Sequence, residues 1–401
     1  MTDRMCFASA TTTESSPVKA ISDLVAQIRE QHMGGALDFA LAFLSPHFGE
    51  NVEQFVHAIG NELSPGMLVG CTGQGVIGSK EEIEHRPAMA LVTARLPDVV
   101  LTPMVLGAAD LHKMLGGSET LLKDLDIPDS TKMFLMIADP FTVPMDQLLD
   151  WFNAKFPGIP IVGGMASGAS PAAKNALILN DQVLHDGAIA VAFAGDVNVD
   201  IIVSQGCRPI GPTFRVTNVR DNVIMDLEGQ TPSERLQALL TELSEEEREL
   251  IRNGLFVGRA IDSKKEMLGR GDFLIRGVMG VDQQSGAITV GDYIDEGEVV
   301  QFHVRDAATA IEDLEMMLTP HTLFGQPSGA FLFSCNGRGT QLYDHANGDI
   351  SRIQEFFPGI NVAGFFCAGE IGPIGGKNFL HGHTASIALI RPKSVATPEH
   401  K

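Results

Sequence analysis

Residues 335–339, Cys-Asn-Gly-Arg-Gly, place a thiol and a guanidinium on a loop that follows an apolar run, Ala330–Ser334. The apolar run predicts a buried strand, and the Asn and Gly residues allow the tight backbone of a turn. A second apolar run, Ile360–Phe366, leads into Cys-Ala-Gly-Glu at 367–370 and ends in a carboxylate. Loops at strand ends are where binding and catalytic residues collect, so we predict a ligand site here. Its residues are Cys335, Asn336, Gly337, Arg338, Gly339, Gly369 and Glu370.

The thiol and the guanidinium of this site each allow two interpretations. Cys335 would be a reactive thiolate if Arg338 or a histidine lay beside it. The alternative is a small buried hydrophobic residue next to a tight turn. Arg338 is planar, always charged and suited to a ligand carboxylate. Its alternative is a salt bridge to Asp344 or Asp349.

Two further arginines and the glutamate complete the set of candidates. Arg276 lies within an apolar strand, Phe273–Val278, and needs a partner if it points inward. Arg305 is followed by an aspartate, a pair that is typical of a helix cap. Either arginine could hold the carboxylate of a ligand. Glu370 could bind a ligand amine or act as a general base, or it could form an internal ion pair with Arg338, Arg276 or Arg305.

Other recognisable site types are poorly supported. His381-Gly382-His383 could be combined with Cys335 and Cys367, but structural zinc sites keep tightly spaced ligand pairs. Residues 73–78, Gly-Gln-Gly-Val-Ile-Gly, match a dinucleotide-binding loop, but the stretch Ser79–His85 is too short for the helix that should follow. The sequence contains no G-x-S-x-G, no HExxH and no P-loop. We therefore expect no metal and no cofactor.

A pattern of glycines recurs three times along the chain. In each copy a strand leads from a Pro-Gly pair to a Gly four or five residues later, and a further Gly comes five residues after that. The copies are Pro65-Gly66 with Gly70 and Gly75, Pro157-Gly158 with Gly163 and Gly168, and Pro358-Gly359 with Gly364 and Gly369. Each copy also has an apolar strand before its helix and another after its glycines. The repeating unit is therefore β-α-β-β.

These repeats predict an α/β fold of the mixed α+β kind, in which β-α-β-β units form two mixed-sheet domains with a shared cleft. The clearest boundary lies near Gln230, where Thr231-Pro232-Ser233-Glu234 predicts a capping box with Pro at the first helical position. We predict a flexible N-terminus at 1–19 and a domain of two units at 20–229. A second domain at 230–392 would hold a helical linker, extra strands and the third unit, before a tail at 393–401.

Composition narrows the class of protein. The chain has 401 residues, and 44% of them are hydrophobic, which is enough for substantial cores. Its net charge of −21 argues against a nucleic-acid partner and against an anionic membrane surface. Five scattered cysteines without a CxxC indicate a reducing compartment rather than a disulfide framework. There is no apolar run long enough to span a membrane and no secretory signal.

Several segments of the C-terminal part resemble the FIST family at its FIST C domain. They are Gly271–Gly280 (GDFLIRGVMG), Gln301–Ala307 (QFHVRDA), Phe333–Gly339 (FSCNGRG), Gly364–Pro373 (GFFCAGEIGP) and Asn378–Ser386 (NFLHGHTAS). The N-terminal half resembles FIST N more loosely, through Gly70–Gly75 and Gly163-Gly164. The resemblance extends from Ala36 to Ile390. It implies a cytoplasmic ligand-sensing module of the kind found in bacterial signalling proteins and beside an F-box in a eukaryotic ubiquitin-ligase subunit.

The expected function is a cytoplasmic sensory protein that binds a small ligand and acts in signal transduction. The resemblance implies amino acids or other small carboxylates as ligands. No kinase, cyclase, methyl-accepting or F-box segment accompanies the motifs, so a signalling protein partner or an oligomer is an open alternative. A different class is a cysteine-dependent, amidohydrolase-like enzyme with Cys335 as nucleophile and His345 or His381 as base. A third is a protein-interaction scaffold.

Overall fold

The computed structural model describes residues 4–32, 35–107, 110–111, 113, 116, 126–252 and 254–393. They belong to two compact units. The first, the three-repeat domain, comprises the residues up to Ser204, Leu314–Leu380 and the residues from Thr384 onward. The second, the barrel domain, comprises Gln205–Asp313 together with His381–His383.

Helices and strands are numbered in chain order. The helices are α1 Pro17–Gln31, α2 Val52–Leu63, α3 Met145–Lys155, α4 Pro232–Glu242, α5 Glu245–Arg252, α6 Ala307–Leu318 and α7 Gly348–Phe356. The strands are β1 Cys6–Thr12, β2 Phe39–Leu44, β3 Leu68–Thr72, β4 Gly75–Ile77, β5 Glu82–Glu84, β6 Met89–Arg95, β7 Val99–Leu106, β8 Thr131–Ala138, β9 Ile161–Met165, β10 Leu177–Leu179, β11 Gln182–Leu184, β12 Ala188–Gly195, β13 Val197–Gln205, β14 Cys207–Arg220, β15 Val223–Leu227, β16 Leu255–Ala260, β17 Phe273–Val281, β18 Ile288–Val290, β19 Val299–Arg305, β20 Gly329–Cys335, β21 Val362–Cys367, β22 Glu370–Ile374, β23 Lys377–His381 and β24 Thr384–Pro392.

Each of the three predicted repeats builds the centre of one mixed sheet. Within the described residues, the sheets have the strand orders β1-β6-β2-β3-β10-β11, β7-β12-β8-β9-β22-β23 and β13-β24-β20-β21-β4-β5. In every sheet two strands of one repeat run parallel, and the last strand of that repeat lies antiparallel beside the first. A parallel pair needs a crossover, which α2, α3 or α7 supplies. The mixed α+β fold class predicted from the repeats is confirmed.

In each sheet the two adjacent strands at one edge form a hairpin that comes from a different repeat. The hairpin β4–β5 of the first repeat pairs with β21 of the third, and β10–β11 of the second repeat pairs with β3 of the first. The hairpin β22–β23 of the third repeat pairs with β9 of the second. The exchange is therefore cyclic. Because each repeat depends on another for its sheet edge, the three form a single structural unit.

One glycine of each copy lies where the exchanged hairpin meets the parallel pair. These glycines are Gly70, Gly163 and Gly364, and they face Ile178, Ile371 and Ile77 of the hairpins. A Cβ on any of them would overlap a main-chain carbonyl oxygen of the neighbouring parallel strand, which belongs to Ala42, Met136 or Leu332. Glycine is thus required by a close backbone approach, and the recurrence of the pattern has a common physical cause.

The three sheets contribute to one apolar core. Phe39 of the first repeat, Phe193 of the second and Phe331 of the third meet in it, with ring centroids 5.3, 5.8 and 6.4 Å apart. All three rings are fully buried. The helices cover the opposite faces of the sheets; α2, for example, buries Val56 and Ile59 against the first sheet. Burial of this apolar surface is the main favourable term for the domain.

The predicted flexible N-terminus at 1–19 is wrong for its described part. Cys6–Thr12 is strand β1, which pairs with β6 along its whole length, and α1 already begins at Pro17. Phe7, Ala8 and Ala10 are buried. Many small and hydroxylated side chains hide the apolar pattern of this segment, but such residues fit a strand that is held by backbone hydrogen bonds on one edge.

The boundary predicted between 229 and 230 does not separate the compact units. The third repeat, predicted to share a domain with the strands before it, packs with the first two repeats because of the hairpin exchange. The helix predicted there does begin as expected: Thr231 and Glu234 form both hydrogen bonds of the capping box at the start of α4. Of the predicted tail at 393–401, all but Lys393 lies outside the described residues.

The barrel domain is built from the strands that precede the third repeat. Its strands close in the order β14-β15-β18-β17-β16-β19. Alternate side chains fill the interior, among them Ile210, Phe214, Val257 and Phe302. Register shifts in β14 provide the strong bending that a closed sheet of this size needs. In the part of the chain that the structure describes, no helix combines the length and the apolarity of a membrane span.

Replacing Gly364 by Ala should lower the free energy of unfolding by about 1–3 kcal/mol or more, because the new Cβ would push β20 and β21 apart. Urea unfolding measures this loss. Gly60→Ala is the matched control, since a Cβ there would meet nothing within 4 Å. Gly60 lies inside α2, so its replacement should stabilise the protein by about 0.5–1 kcal/mol. Equal stability of the Gly364 variant and the wild type would contradict the close-approach interpretation.

Candidate functional site

The predicted loop lies at the carboxyl ends of the parallel strands β20 and β21. Cys335 and Cys367 are register partners at the ends of these strands. The Asn336 N–H donates to the Cys367 carbonyl oxygen at 2.9 Å, and the Arg338 N–H donates to the Cys335 carbonyl oxygen at 2.8 Å. These bonds fold the chain into a tight turn at a sheet end, which is the usual position of ligand sites in α/β proteins.

A buried ion pair holds the turn. The Arg338 side chain is fully buried and binds Asp349 with two hydrogen bonds, Nε to Oδ2 at 2.9 Å and Nη2 to Oδ1 at 2.5 Å. Ser334 Oγ and the Tyr343 hydroxyl also donate to this carboxylate, at 2.7 and 2.8 Å. Burial opposes the charged form, but Arg338 and these hydrogen bonds lower the pKa of Asp349 below its ordinary value.

The exchanged hairpin β4–β5 contributes two carboxylates to the same region. Glu82 Oε1 accepts the Ile350 N–H at 2.8 Å, and the Glu82 N–H donates to Asn347 Oδ1 at 2.7 Å. Burial and the nearby Asp349 raise the pKa of Glu82 to about 8. Glu84 Oε1 accepts the Thr340 N–H at 2.9 Å. The first repeat is thereby bonded to the loop of the third.

Glu370 is a further buried carboxyl at this strand end. It is fully buried, and its Oε2 accepts hydrogen bonds from the Thr384 N–H at 3.1 Å and the Thr384 hydroxyl at 2.9 Å. Its Oε1 is buried and has no hydrogen-bond partner among the described residues. Burial raises the pKa of Glu370 to about 8, although the hydrogen bonds from Thr384, the nearby Cys335 thiol and the charge of Arg338 act in the opposite direction.

The other two sheets show which kind of residue serves a purely structural role at the position that corresponds to Glu370. Glu370 faces Gly164, the residue after the close-approach glycine of the second repeat. In the other two sheets the same hairpin position is occupied by Val76, which faces Phe365, and by Leu177, which faces Cys71. Val76 and Leu177 are fully buried core residues. A carboxylic acid therefore stands where the fold twice uses an aliphatic side chain.

Cys335 lies beside this carboxyl group and is held in the turn. Its side chain is 7% exposed, and its sulfur accepts the Gly337 N–H at 3.3 Å. Cys367 is fully buried, and burial together with Glu370 raises the pKa of its thiol well above the ordinary value. The neighbours Asn336 and Gly337 are partly exposed, and Ala368 is exposed. The thiol of Cys335 is thus nearly buried, while Asn336 and Gly337, which follow it, reach the surface.

Family models of two domains match nearly the whole chain. The family model of the FIST N domain matches residues 38–230, and that of the FIST C domain matches residues 233–373. Uncharacterized protein Rv0628c of Mycobacterium tuberculosis (strain ATCC 25618 / H37Rv) is 36% identical over 374 residues, covering 92% of this chain and 96% of the relative. Uncharacterized protein Mb0898c of Mycobacterium bovis is 35% identical over 374 residues, covering 92% and 95%. The chain belongs to the FIST family. FIST domains are associated with signal transduction and sensing.

The structure of this FIST protein brings together most of the residues predicted for the site. Cys335, Asn336, Gly337 and Glu370 lie around the same strand end, and Gly369 directly precedes β22. Arg338 forms a salt bridge to Asp349, which is the alternative to binding a ligand carboxylate. Gly339 has a positive φ of 55°, and a Cβ there would lie 2.5 Å from Glu84 Oε1, so it closes the turn.

The two other predicted arginines belong to the barrel domain. Arg276 is buried, and its Nε donates to Asp292 Oδ2 at 2.8 Å, which supplies the partner that an inward-pointing arginine needs. The Arg305 guanidinium lies over the Phe256 ring, 5.8 Å from its centroid. His345, one of the two predicted bases, is half exposed and has Nδ1 2.7 Å from Asp344 Oδ1. Among the described residues no group of His, Cys, Asp and Glu has the arrangement of a metal site.

Several contributors to the site were not predicted. Thr384 holds Glu370, while Tyr343 and Ser334 bind Asp349. Glu82 is far from the loop in sequence, and only the hairpin exchange brings it close. A sequence signal did exist for Glu370, because alignment of the first and third repeats on their glycines places it opposite Val76.

Asp349→Asn should lower the free energy of unfolding by about 3–5 kcal/mol, because it leaves the buried charge of Arg338 without its counter-ion. Denaturant unfolding followed by circular dichroism measures this change. Glu355→Gln removes the half-exposed partner of Arg352 and should change stability by about 1 kcal/mol or less. A loss at Asp349 as small as that of the control would contradict a structural role for the pair.

The contributions of Glu82 and Glu370 to the stability of this FIST protein should fall as pH rises from about 4.5 to 8. Glu82 and Glu370 have folded-state pKa values of about 8, raised from 4.5, so above pH 4.5 the unfolded state releases protons that the folded state retains. Each group contributes a slope of at most about 1.4 kcal/mol per pH unit. Glu82→Gln and Glu370→Gln should each flatten the profile measured by urea unfolding, whereas Glu355→Gln should leave it unchanged. Parallel profiles for all variants would show that the two carboxyls are ionised in the folded protein.

Proposed function

We propose that this FIST protein is a cytoplasmic sensory protein that binds a small polar ligand at the carboxyl ends of β20 and β21. Amino acids and other small carboxylates are the proposed ligand class. The observation that carries the proposal is the buried Oε1 of Glu370, which lacks a partner among the described residues at a position where the other repeats bury Val76 and Leu177. A buried polar group without a partner is unfavourable for stability, so a ligand that supplies the missing hydrogen bond would explain it.

The surroundings of Glu370 fit a small ligand. Asn336 and Gly337 are partly exposed at the turn. Because few side chains of the turn are bulky, it offers mainly backbone groups to a ligand. Glycine there allows a ligand to approach the main chain closely. Arg338 is committed to Asp349, and we assign it the role of holding the turn. All five cysteines are thiols and not disulfides, which fits a reducing compartment.

The hairpin exchange offers a way to report binding. A ligand at Glu370 would contact the turn that Glu82 and Glu84 bond to the hairpin β4–β5, and this hairpin is continuous with the first repeat. A ligand that binds one arrangement of turn and hairpin more tightly than another shifts the population between them. The changed surface would then be read by a signalling partner.

A thermal-shift panel of the twenty amino acids and of small mono- and dicarboxylates tests the proposed function. At least one compound should raise the melting temperature, since a hundredfold excess over Kd stabilises the folded state by about 2.7 kcal/mol. Glu370→Leu, which restores the aliphatic residue of the other repeats, should be more stable than the wild type and should lose the shift. Glu355→Gln, which alters a half-exposed carboxyl of α7 outside the site, is the control and should keep the shift.

Two outcomes would refute the proposal. One is a folded wild-type protein that no compound of the panel stabilises. The other is a Glu370→Leu variant that responds to the same compounds as strongly as the wild type, because the ligand would then bind elsewhere. Urea unfolding of the variants without ligand separates the effect on stability from the effect on binding.

A further inference from the structure

The hydrogen bonds of Glu370 fix the role of each of its oxygens. The Thr384 N–H can only donate, and it donates to Oε2. The Thr384 hydroxyl lies 2.9 Å from the same oxygen. Oε2 therefore accepts two hydrogen bonds, which suits a carboxylate or carbonyl oxygen better than the hydroxyl oxygen of a protonated carboxyl. In a protonated Glu370 the C=O is then Oε2, and the hydroxyl is Oε1.

The charges around Glu370 favour the protonated state. Within the three-repeat domain the titratable and charged groups that act on it are the thiols of Cys335 on β20 and Cys367 on β21, and the guanidinium of Arg338. Arg338 is bound to Asp349 through two hydrogen bonds, so its charge is largely compensated there. A buried carboxylate without a directly bound cation is strongly disfavoured. Burial accordingly raises the pKa of Glu370 to about 8.

A protonated Oε1 needs an acceptor. It is buried and has no partner among the described residues. The adjacent Cys335 sulfur is only a weak acceptor and already receives the Gly337 N–H. An oxygen that carries a proton in this position would bind an oxygen acceptor well and would repel another donor.

We propose that Glu370 is a hydrogen-bond donor in the ligand site, so that the ligand presents a carboxylate or carbonyl oxygen, and not an ammonium group, to Glu370 Oε1. The inference rests on the proposed function and specifies which end of the ligand faces the buried carboxyl. A ligand carboxylate would thus be recognised by a neutral acid, and not by the guanidinium of Arg338.

Matched small compounds test the class of ligand. Acetate, propionate and butyrate are compared with acetamide, propionamide and butyramide and with ethylamine, propylamine and butylamine, by saturation-transfer NMR at pH 6.5. Carboxylates or amides should give a signal that Glu370→Leu abolishes, and the amines should give none. Binding of the amines alone would overturn the proposal.

The conservative variant tests the direction of the hydrogen bond. In Glu370→Gln the side-chain carbonyl can accept from Thr384, and the NH2 group takes the place of the Oε1 hydroxyl as donor. For the compound that binds the wild type most tightly, Glu370→Gln should bind at least about tenfold more tightly than Glu370→Leu. An ammonium ligand would need the negative charge, so a Gln variant as defective as the Leu variant would overturn the proposal.

The pH dependence of ligand affinity distinguishes Glu370 from Glu82, which has a similar pKa. Wild-type affinity should fall about fivefold between pH 8 and pH 9, as the Oε1 proton is lost. Glu370→Gln should remove this fall, and Glu82→Gln should retain it, although Glu82 also titrates near pH 8. A profile that is flattened by Glu82→Gln and not by Glu370→Gln would refute the assignment.

Infrared spectroscopy gives a readout that does not need a ligand. At pH 6.5 Glu82 and Glu370 should each contribute the C=O stretch of a protonated carboxyl, and the band of Glu370 is the one that Glu370→Gln lacks and Glu82→Gln retains. If that band is absent, Glu370 is ionised and this proposal fails, even if ligands bind. If the band is present but no compound binds, the proposed function fails instead, and the assignment of a ligand group to Oε1 fails with it.

Discussion

Each repeat of the three-repeat domain lacks the outer strands of its own sheet and takes them from another repeat. The cyclic exchange requires three glycines, Gly70, Gly163 and Gly364, because a side chain there would strike the carbonyl oxygen of the neighbouring parallel strand. It also brings three sheets around one core, where phenylalanine rings from all three repeats meet. The third repeat consequently cannot complete its fold without the first two, although the barrel strands separate them in sequence.

The same exchange assembles the candidate site. A hairpin from the first repeat carries Glu82 and Glu84 to the loop of the third, where they accept N–H groups of Ile350 and Thr340. Another hairpin begins with Glu370, a fully buried residue, and pairs with β9 of the second repeat. Polar groups from distant parts of the chain therefore converge because backbone pairing brings their strands together. Arg338 and Asp349 neutralise each other at the centre of this arrangement.

The three buried carboxyl groups in this region differ in their pKa values, and the difference has an electrostatic cause. Asp349 stays ionised because a guanidinium and two hydroxyl groups bind it directly, which offsets its desolvation. Among the described residues no ion pair is found for Glu82 or Glu370, and burial raises their pKa values to about 8. Asp349 supports the turn, whereas Glu370 weakens the core that Val76 and Leu177 stabilise in the equivalent positions. A residue that lowers stability in a packed core is the kind that function requires.

The sequence alone determined the repeats, their β-α-β-β order, the α4 capping box and the strand ends that carry Cys335 and Glu370, because glycine spacing, apolar periodicity and helix caps are local properties. It also offered Asp349 as a partner for Arg338, since the two are near in sequence. Only the tertiary structure decided that the hairpins are exchanged, that the N-terminal segment is a strand, and that Thr384 and Glu82 join the site. Those outcomes depend on pairing between strands that are far apart in the chain. The pattern of side chains in a strand indicates that the strand will pair, but it does not indicate which other strand will be the partner.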